Sequence, residues 1–418
     1  MIARSSRSAL SGTVSIPPSK SVAHRLLIAS SLGDKPSLIK NVGTSDDVKA
    51  TINSLNALGA KITLSNNDAN VTPIKVVNDN PKLDVGESGS TLRFMLPLVR
   101  SLGVKRPEFI MRGRLKDRPN DELIRVLDEH TVNGALRSGV YEIDSSISSQ
   151  YITGLLLALP RLEGTSIIIL KGDVVSKGYL DITEDILKAY SIEFTKHNSS
   201  YIIPGMQSYK AFDTKAEGDF SSSSFLFTLG AFQKDGITLK NLNPQSKQGD
   251  NVIVDILRDS GVRIDEKNGE YKVSENGKYK PLDVNLENAP DLAPILAVFA
   301  SKVHGVSKIR SIERLRIKES DRISAILDML KSAKIDAKYE DKVLTINGGN
   351  PKSGTFDGYK DHRIVMSSLV LSLLSCDDGE SVVSDIECIS KSYPNFLSDI
   401  ISLGGNVECQ NGKPTNLN

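Results

Sequence analysis

Six times along this chain a short polar cluster gives way to an apolar run of helix length, and most of these runs close on glycine. The first is Ser21 to Gly33 (SVAHRLLIASSLG) and the second Ser90 to Gly103 (STLRFMLPLVRSLG). The others run Ser148 to Gly164, Ser221 to Gly236, Asp291 to Gly305 and Asp361 to Gly379. Counted from Lys20, Ser90, Ser148, Ser221, Asp291 and Asp361, successive starts lie 70, 58, 73, 70 and 70 residues apart. Spacing this regular predicts one supersecondary unit repeated six times.

Each gap holds a second, more amphipathic helix: Asp46 to Leu58, Asp121 to Glu129, Thr183 to Tyr190, Asp250 to Ser260, Ser320 to Ser332 and Asn395 to Leu403. Turn-linked strand patterns follow most of them, as in Val262 to Val273 (VRIDEKNGEYKV) and Ile335 to Ile346 (IDAKYEDKVLTI). The unit reads strand, helix, strand, helix, strand, strand. A chain of 418 residues is too long for one core. Six units divide as three and three, with the apolar helices buried and the amphipathic ones covered on one face. The crossings fall at Pro17-Pro18 and Glu217-Gly218, giving a continuous domain, 18–217, and a discontinuous one, 1–17 plus 218–418.

Charge narrows the ligand. With 52 basic and 51 acidic residues the net charge is +1, which supplies no long-range field for nucleic acid or an acidic membrane, so anion recognition has to be local. Cys376, Cys388 and Cys409 are spaced 12 and 21 apart, matching neither a metal motif nor a disulfide framework, and read as spectators in a reducing cytosol. Met1 to Gly12 is rich in Arg and Ser like a transit peptide, but a strand-like segment, Thr13 to Ile16, follows at once and no apolar signal core precedes it. No run approaches membrane-spanning length, and the expected location is cytoplasmic.

The polar clusters sit at the amino ends of the apolar helices, where free backbone N–H groups and the helix dipole favour anions. Lys20, Ser21 and Arg25 share one face of the first. Gly89 lets an anion approach the backbone before Arg93, and Arg118 is held extended by Pro119. Ser148, Ser149 and Gln150 open the third, and Ser176 to Tyr179 is a polar turn. Asp291 heads the fifth, where the plain reading is an N-cap and the functional one a general base. Leu315 to Arg322 (LRIKESDR) interleaves Arg316, Lys318 and Arg322 with Glu319 and Asp321. A run of this kind suits either a solvated, salt-bridged face or a site that holds an anion beside a proton carrier. Asp361-His362-Arg363 and Lys391 repeat the theme.

Taken in order, Pro-Ser-Lys-Ser with Arg25, Gly-Ser-Thr-Leu-Arg from Gly89, Arg118-Pro119, Ser148-Ser149-Gln150, Ser176 with Tyr179, Pro290-Asp291, Leu315 to Arg322, Asp361-His362-Arg363 and Lys391 with Pro394 resemble the enolpyruvyl transferase family. The resemblance covers nearly the whole chain. It implies an α/β (α+β) fold: a two-domain inside-out α/β barrel, each domain three βαβαββ repeats with buried helices, and an active site in the interdomain cleft. It implies transfer of the enolpyruvyl group of phosphoenolpyruvate to the 5-hydroxyl of shikimate 3-phosphate by a cytoplasmic monomer, with no metal or organic cofactor and no nucleic-acid or membrane partner.

The same resemblance assigns shikimate 3-phosphate to Lys20, Ser21, Arg25, Ser148, Ser149, Gln150, Ser176, Tyr179, Asp291 and Lys318. Phosphoenolpyruvate falls to Lys20, Gly89, Arg118, Gln150, Arg322, Arg363 and Lys391. Catalysis falls to Asp291 as base, Glu319 as proton donor to the methylene carbon and Lys20 beside the bridging oxygen. The sequence departs from the family pattern at His24 and Lys360, each replacing a frequent Asn, at Asn120 after Arg-Pro, and at Arg314. The branch acting on UDP-N-acetylglucosamine uses a reactive Cys in its first-translated domain, whereas all three Cys here lie beyond Ser375. Related repeats build RNA 3′-phosphate cyclases, which the near-zero charge disfavours.

Overall fold

The computed structural model describes residues 1–410. Among them are twelve α-helices: α1 Lys20–Ser31, α2 Asp46–Leu58, α3 Gly89–Ser101, α4 Asp121–Glu129, α5 Ser149–Ala158, α6 Gly178–Ala189, α7 Phe220–Gly230, α8 Ile253–Asp259, α9 Ala293–Lys302, α10 Arg322–Ser332, α11 His362–Leu373 and α12 Phe396–Ser402. The odd-numbered helices are the six apolar runs. α7 and α11 are buried along their whole length, and α9 is buried except for Lys302 at its end. The even-numbered ones bury one stripe, as α4 does with Leu123, Val126 and Leu127, three and four residues apart.

The chain divides into two compact units. One comprises Met1–Pro17, Gly218–Ser246 and the run from Asp250 on; the other comprises Pro18–Glu217 with Lys247–Gly249. Each has its own apolar core. The expected domain 218–418 is thus interrupted by a three-residue piece, and its residues 411–418 lie outside the described ones. Close backbone packing accounts for the exchange: a Cβ on Gly178, at the start of α6, would stand 2.8 Å from Gly249 N and 2.9 Å from Lys247 O.

Mixed sheets complete the α/β architecture, five of them four-stranded and alike among the described residues: a parallel pair extended by two antiparallel strands. In one, 140–144 runs parallel to 166–171, which pairs antiparallel with 200–203 and through it with 195–197. The segment before Pro17 supplies two strands to the first unit. Ile2–Ser6 lies between Glu380–Ser384 and Asn406–Gln410, and Gly12–Ser15 runs parallel to Ile237–Lys240. In the second unit Thr214–Lys215 returns to pair with Ser37–Lys40. The second repeat departs from the pattern. Among the described residues Lys82–Gly86 pairs only with Glu108–Met111, and the hairpin Thr131–Val132/Ala135–Leu136 forms a two-stranded sheet of its own. This is the repeat that the 58-residue spacing shortens, leaving too little chain for two further full strands.

Within the second unit α3 and α5 approach very closely. Pro97 has no N–H to give the carbonyl of Arg93 one turn back. At that carbonyl α5 presents Gly154, whose Cβ, if it had one, would lie 2.5 Å from Arg93 O and 2.9 Å from Pro97 Cγ. Gly154→Ala therefore has to separate two buried helices. It is expected to destabilise the protein by about 1–3 kcal/mol, seen as a lower urea midpoint; an unchanged midpoint would show that the helices part without cost.

Candidate active site

In the first unit the charge run folds around its last residue. After a one-turn helix, Glu313–Ile317, Lys318 is extended, and Asp321 caps α10 by accepting from the backbone N–H of Ile323 (3.2 Å) and Ser324 (3.3 Å). The other carboxylate oxygen of Asp321 takes Arg316 Nη1 at 2.8 Å. Arg322 then opens α10 with its side chain 1% exposed and three carboxylates on one guanidinium. Nε reaches Asp361 Oδ2 at 2.7 Å, Nη1 reaches Asp291 Oδ1 at 2.7 Å, and Nη2 reaches Glu319 Oε2 at 2.6 Å. Burial alone would lower its pKa, but the carboxylates hold it above the ordinary arginine value.

Asp291 corrects one expectation. It caps no helix, because Pro290 opens a separate one-turn helix, Pro290–Leu292, ahead of α9, and no side-chain cap bond forms there. Its carboxylate turns to cations instead: Arg322 at 2.7 Å, Lys318 Nζ at 3.5 Å and Arg363 Nη2 at 3.5 Å. Burial opposes the charge, yet Arg363, Lys318 and Arg322 hold the carboxyl well below the usual carboxylate range. Asp361 is fully buried and caps α11 through the N–H of Arg363 at 3.0 Å, while accepting from Ser320 Oγ at 3.0 Å. The two residues before it, Tyr359 and Lys360, hold left-handed φ of 52° and 51°, a conformation that Asn adopts more easily than Lys. Glu319 also faces Lys391 Nζ at 3.9 Å. Lys318, Glu319, Arg322, Arg363, Lys391 and Asp291 are therefore one cluster.

Asp250 belongs beside them, and the sequence showed it only as the first residue of an amphipathic helix. It is buried, and burial first of all lifts its pKa to about 6, against the pull of Arg363 and a hydrogen bond from Ser221. Ser221 Oγ in turn accepts from Arg363 Nη2 at 2.7 Å.

The second unit holds the other predicted residues in three groups. Lys20 Nζ meets Asp47 Oδ2 at 2.7 Å, a buried partner on α2 that no pattern signalled. Arg25, buried, donates to Thr183 Oγ1 (2.7 Å), Ser21 O (2.6 Å), Thr153 Oγ1 (3.3 Å) and Tyr179 O (3.1 Å). Its guanidinium also lies 5.1 Å from the centre of the Phe94 ring. All of those acceptors are neutral, and burial lowers its pKa to about 10. A buried cation so placed is one that an anion would complement. Ser176, also buried, adopts φ 54° and accepts from Tyr179 N at 3.1 Å, setting the start of α6 beside Arg25.

The third group forms where α3 and α5 begin. Ser148 caps α5 by accepting from Gln150 N at 3.3 Å, and Ser149 is its buried first residue. Gln150 Nε2 donates to Ser90 Oγ at 2.9 Å, and its Oε1 accepts from Arg93 Nη1 at 2.6 Å. Arg93 also donates to Asn120 Oδ1 (3.0 Å) and Pro119 O (3.0 Å), which fixes the Arg118-Pro119 segment. Arg118 is extended, at φ −79° and ψ 137°, as the following proline requires. Its guanidinium lies over the backbone of Gly89, where a Cβ would stand 2.8 Å from Nη1.

His24 is enclosed under these groups, with Nδ1 2.6 Å from Thr51 Oγ1. Burial above all lowers its pKa from 6.5 to about 3, so it folds as neutral imidazole. A folded pKa below the unfolded one gives stability that is full above pH 6.5 and lost as pH falls toward 3. His24→Asn, which keeps a hydrogen-bonding side chain but does not titrate, is expected to flatten the fall in melting temperature between pH 6.5 and 4. An equally steep fall in both proteins would place the acid sensitivity elsewhere.

The family profile described as EPSP synthase (3-phosphoshikimate 1-carboxyvinyltransferase) matches residues 5–400. A protein of Clostridium kluyveri named 3-phosphoshikimate 1-carboxyvinyltransferase is 40% identical over 417 residues, covering 96% of each chain. One of the same name from Clostridioides difficile is 39% identical, covering 96% of this chain and 97% of its own. Among solved structures, an EPSP synthase from Acinetobacter baumannii superposes with a TM-score of 0.79 at 19% identity, covering 98% of this chain and all of that one. The enolpyruvyl transferase NikO of Streptomyces tendae gives 0.78 at 16% identity, covering 97% and 98%. These two show likeness of fold.

Proposed function

The chain belongs to the EPSP synthase (3-phosphoshikimate 1-carboxyvinyltransferase) family, and from that premise we propose how its own residues carry the transfer. The reaction moves the enolpyruvyl group of phosphoenolpyruvate to the 5-hydroxyl of shikimate 3-phosphate, giving 5-enolpyruvylshikimate 3-phosphate and phosphate on the route to chorismate and aromatic amino acids. In this reading each unit is an inside-out α/β barrel of three βαβαββ repeats.

The observation that carries the reading is the cluster of Asp291 and Glu319 on Arg322, ringed by Lys318, Arg363 and Lys391. Before substrate arrives, Asp291 is a weak base because cations stabilise its charge. An incoming phosphate or carboxylate would share those cations, loosen their hold on Asp291 and raise its basicity where the 5-hydroxyl has to lose a proton. Glu319, ionised between Arg322 and Lys391 at rest, takes up a proton from solvent once phosphoenolpyruvate shares those two cations, and delivers it to the methylene carbon. Lys20, oriented by Asp47, stabilises charge on the bridging oxygen.

Arg25, whose acceptors among the described residues are all neutral, takes the 3-phosphate beside Ser21, Ser176 and Tyr179. Ser148, Ser149, Gln150 and Lys318 position the ring. Phosphoenolpyruvate is the ligand assigned to Arg118 over Gly89, and likewise to Arg322, Arg363 and Lys391. In the first step the nucleophilic oxygen adds to the central carbon of phosphoenolpyruvate as its methylene becomes methyl; in the second the proton returns and phosphate leaves.

Phosphate release is expected only with both substrates present, and Asp291→Asn is expected to lower kcat on the order of 10²-fold or more with a much smaller change in the KM for shikimate 3-phosphate. Release at the same rate without shikimate 3-phosphate would sink the reading. Gly89→Ala forces the Arg118 guanidinium to move, since the new Cβ meets it at 2.8 Å. It should raise the KM for phosphoenolpyruvate several-fold; an unchanged KM would take Arg118 out of the site.

A further inference from the structure

One pair of reactive side chains lies outside this machinery. Lys302 is the last residue of α9, and Cys376 follows the end of α11, 74 residues on. Lys302 Nζ stands 3.1 Å from Cys376 Sγ. Neither partner is loosely held: the lysine nitrogen also lies 5.8 Å from the centre of the Phe232 ring, and the backbone N–H of Cys376 donates to Pro351 O at 2.7 Å. Both residues are half-buried, so a small solute reaches them while the surrounding chain keeps them together.

The other two thiols lack this arrangement. Cys388 faces Asp361, Asp385 and Glu387, and burial first, then those carboxylates, push its thiol pKa up, keeping it in the unreactive protonated form. Cys409 is exposed on the strand Asn406–Gln410, a comparator open to oxidants.

We propose that Lys302 and Cys376 form a peroxide-triggered, reversible covalent link. In the first step one oxygen of hydrogen peroxide bonds to Sγ, the O–O bond breaks, and the thiol becomes sulfenic acid with loss of one water. In the second, Lys302, as the neutral amine after its proton has passed to solvent, attacks the sulfur. The S–O bond breaks, the hydroxyl leaves as a second water, and an S–N bond remains. Sulfur is oxidised and peroxide reduced by two electrons. In reversal one thiol attacks Sγ and releases the amine, and a second thiol frees Cys376 as the two reducing thiols leave joined as a disulfide. Sulfenic acid condenses with nitrogen nucleophiles in this way, and condensation stops its further, irreversible oxidation to sulfinic acid. The link would also tie together the carboxyl ends of α9 and α11, the one preceded by the turn that carries Asp291 and the other headed by Asp361.

The experiment treats the intact protein with a small excess of hydrogen peroxide, then compares digests by mass spectrometry with and without dithiothreitol. The expected result is a joined pair of peptides containing Lys302 and Cys376, two hydrogens lighter than their sum and separated by dithiothreitol, with free amine and free thiol lost one for one. Lys302→Arg keeps a cation near Phe232 but cannot condense, and should show several-fold more sulfinic acid at Cys376 at the same dose. Cys376 oxidised to sulfinic acid in the parent protein with Lys302 unlinked, or joined to Cys388 or Cys409 instead, would overturn the proposal.

Discussion

A guanidinium with 1% of its side chain exposed survives in a protein interior only if its charge is answered at close range, and Arg322 is answered three times. That requirement fixes more than one side chain. Asp361 has to stand at the head of α11, Glu319 has to precede α10 by one turn, and the Pro290–Leu292 turn has to deliver Asp291 ahead of α9. The starts of three buried or half-buried helices are thus located by one planar cation. Removing a single partner from such a group leaves a charge stranded, which in proteins generally costs about 3–5 kcal/mol. The cluster is therefore structural and chemical at once.

The buried guanidinium groups of Arg322 in the first unit and Arg25 in the second meet the problem of buried charge in opposite ways. In the first, carboxylates and cations compensate one another almost completely, and a ligand can enter only by exchanging for an existing partner. In the second, Arg25 is solvated by hydroxyls and backbone carbonyls and faces a ring, so an anion there adds a partner without displacing one. The first arrangement suits chemistry, because exchange of partners changes basicity. The second suits tight holding.

Much of this was legible in the residue pattern. α2 at Asp46–Leu58 and α4 at Asp121–Glu129 begin and end where periodicity places them, because an amphipathic stripe and polar flanks are local properties. The spacing of 58 was in view as well, but beside the others it reads as regular, and the loss of a four-stranded sheet from the second repeat was not read from it. What the pattern did not contain was pairing. Asp47 beside Lys20, Asp250 beside Ser221 and Arg363, and Arg93 holding both Gln150 and the Arg118-Pro119 segment are meetings of distant segments, and each residue taken alone resembles an ordinary helix position. Asp291 failed as a cap for a local reason, since Pro290 starts a turn of its own and frees the carboxylate. The piece Lys247–Gly249 left its neighbours because Gly178 allowed a backbone approach that no other residue type would.

The placement of Ile2–Ser6 bears on how the chain acquires its shape. This strand is hydrogen-bonded on both sides, to partners that begin at Glu380 and end at Gln410. On a ribosome it emerges long before either neighbour exists, whereas nearly all of the second unit, Pro18–Glu217, can assemble from contiguous chain. One unit can thus mature during synthesis while the other carries an unpaired strand at its leading end. Such a strand is an open template for pairing with other chains, and the loop it must close is among the longest the sequence permits, which makes its docking a late and slow event. The same topology that joins first and last repeats into one body leaves Ile2–Ser6 without either neighbour until the sixth repeat has been made.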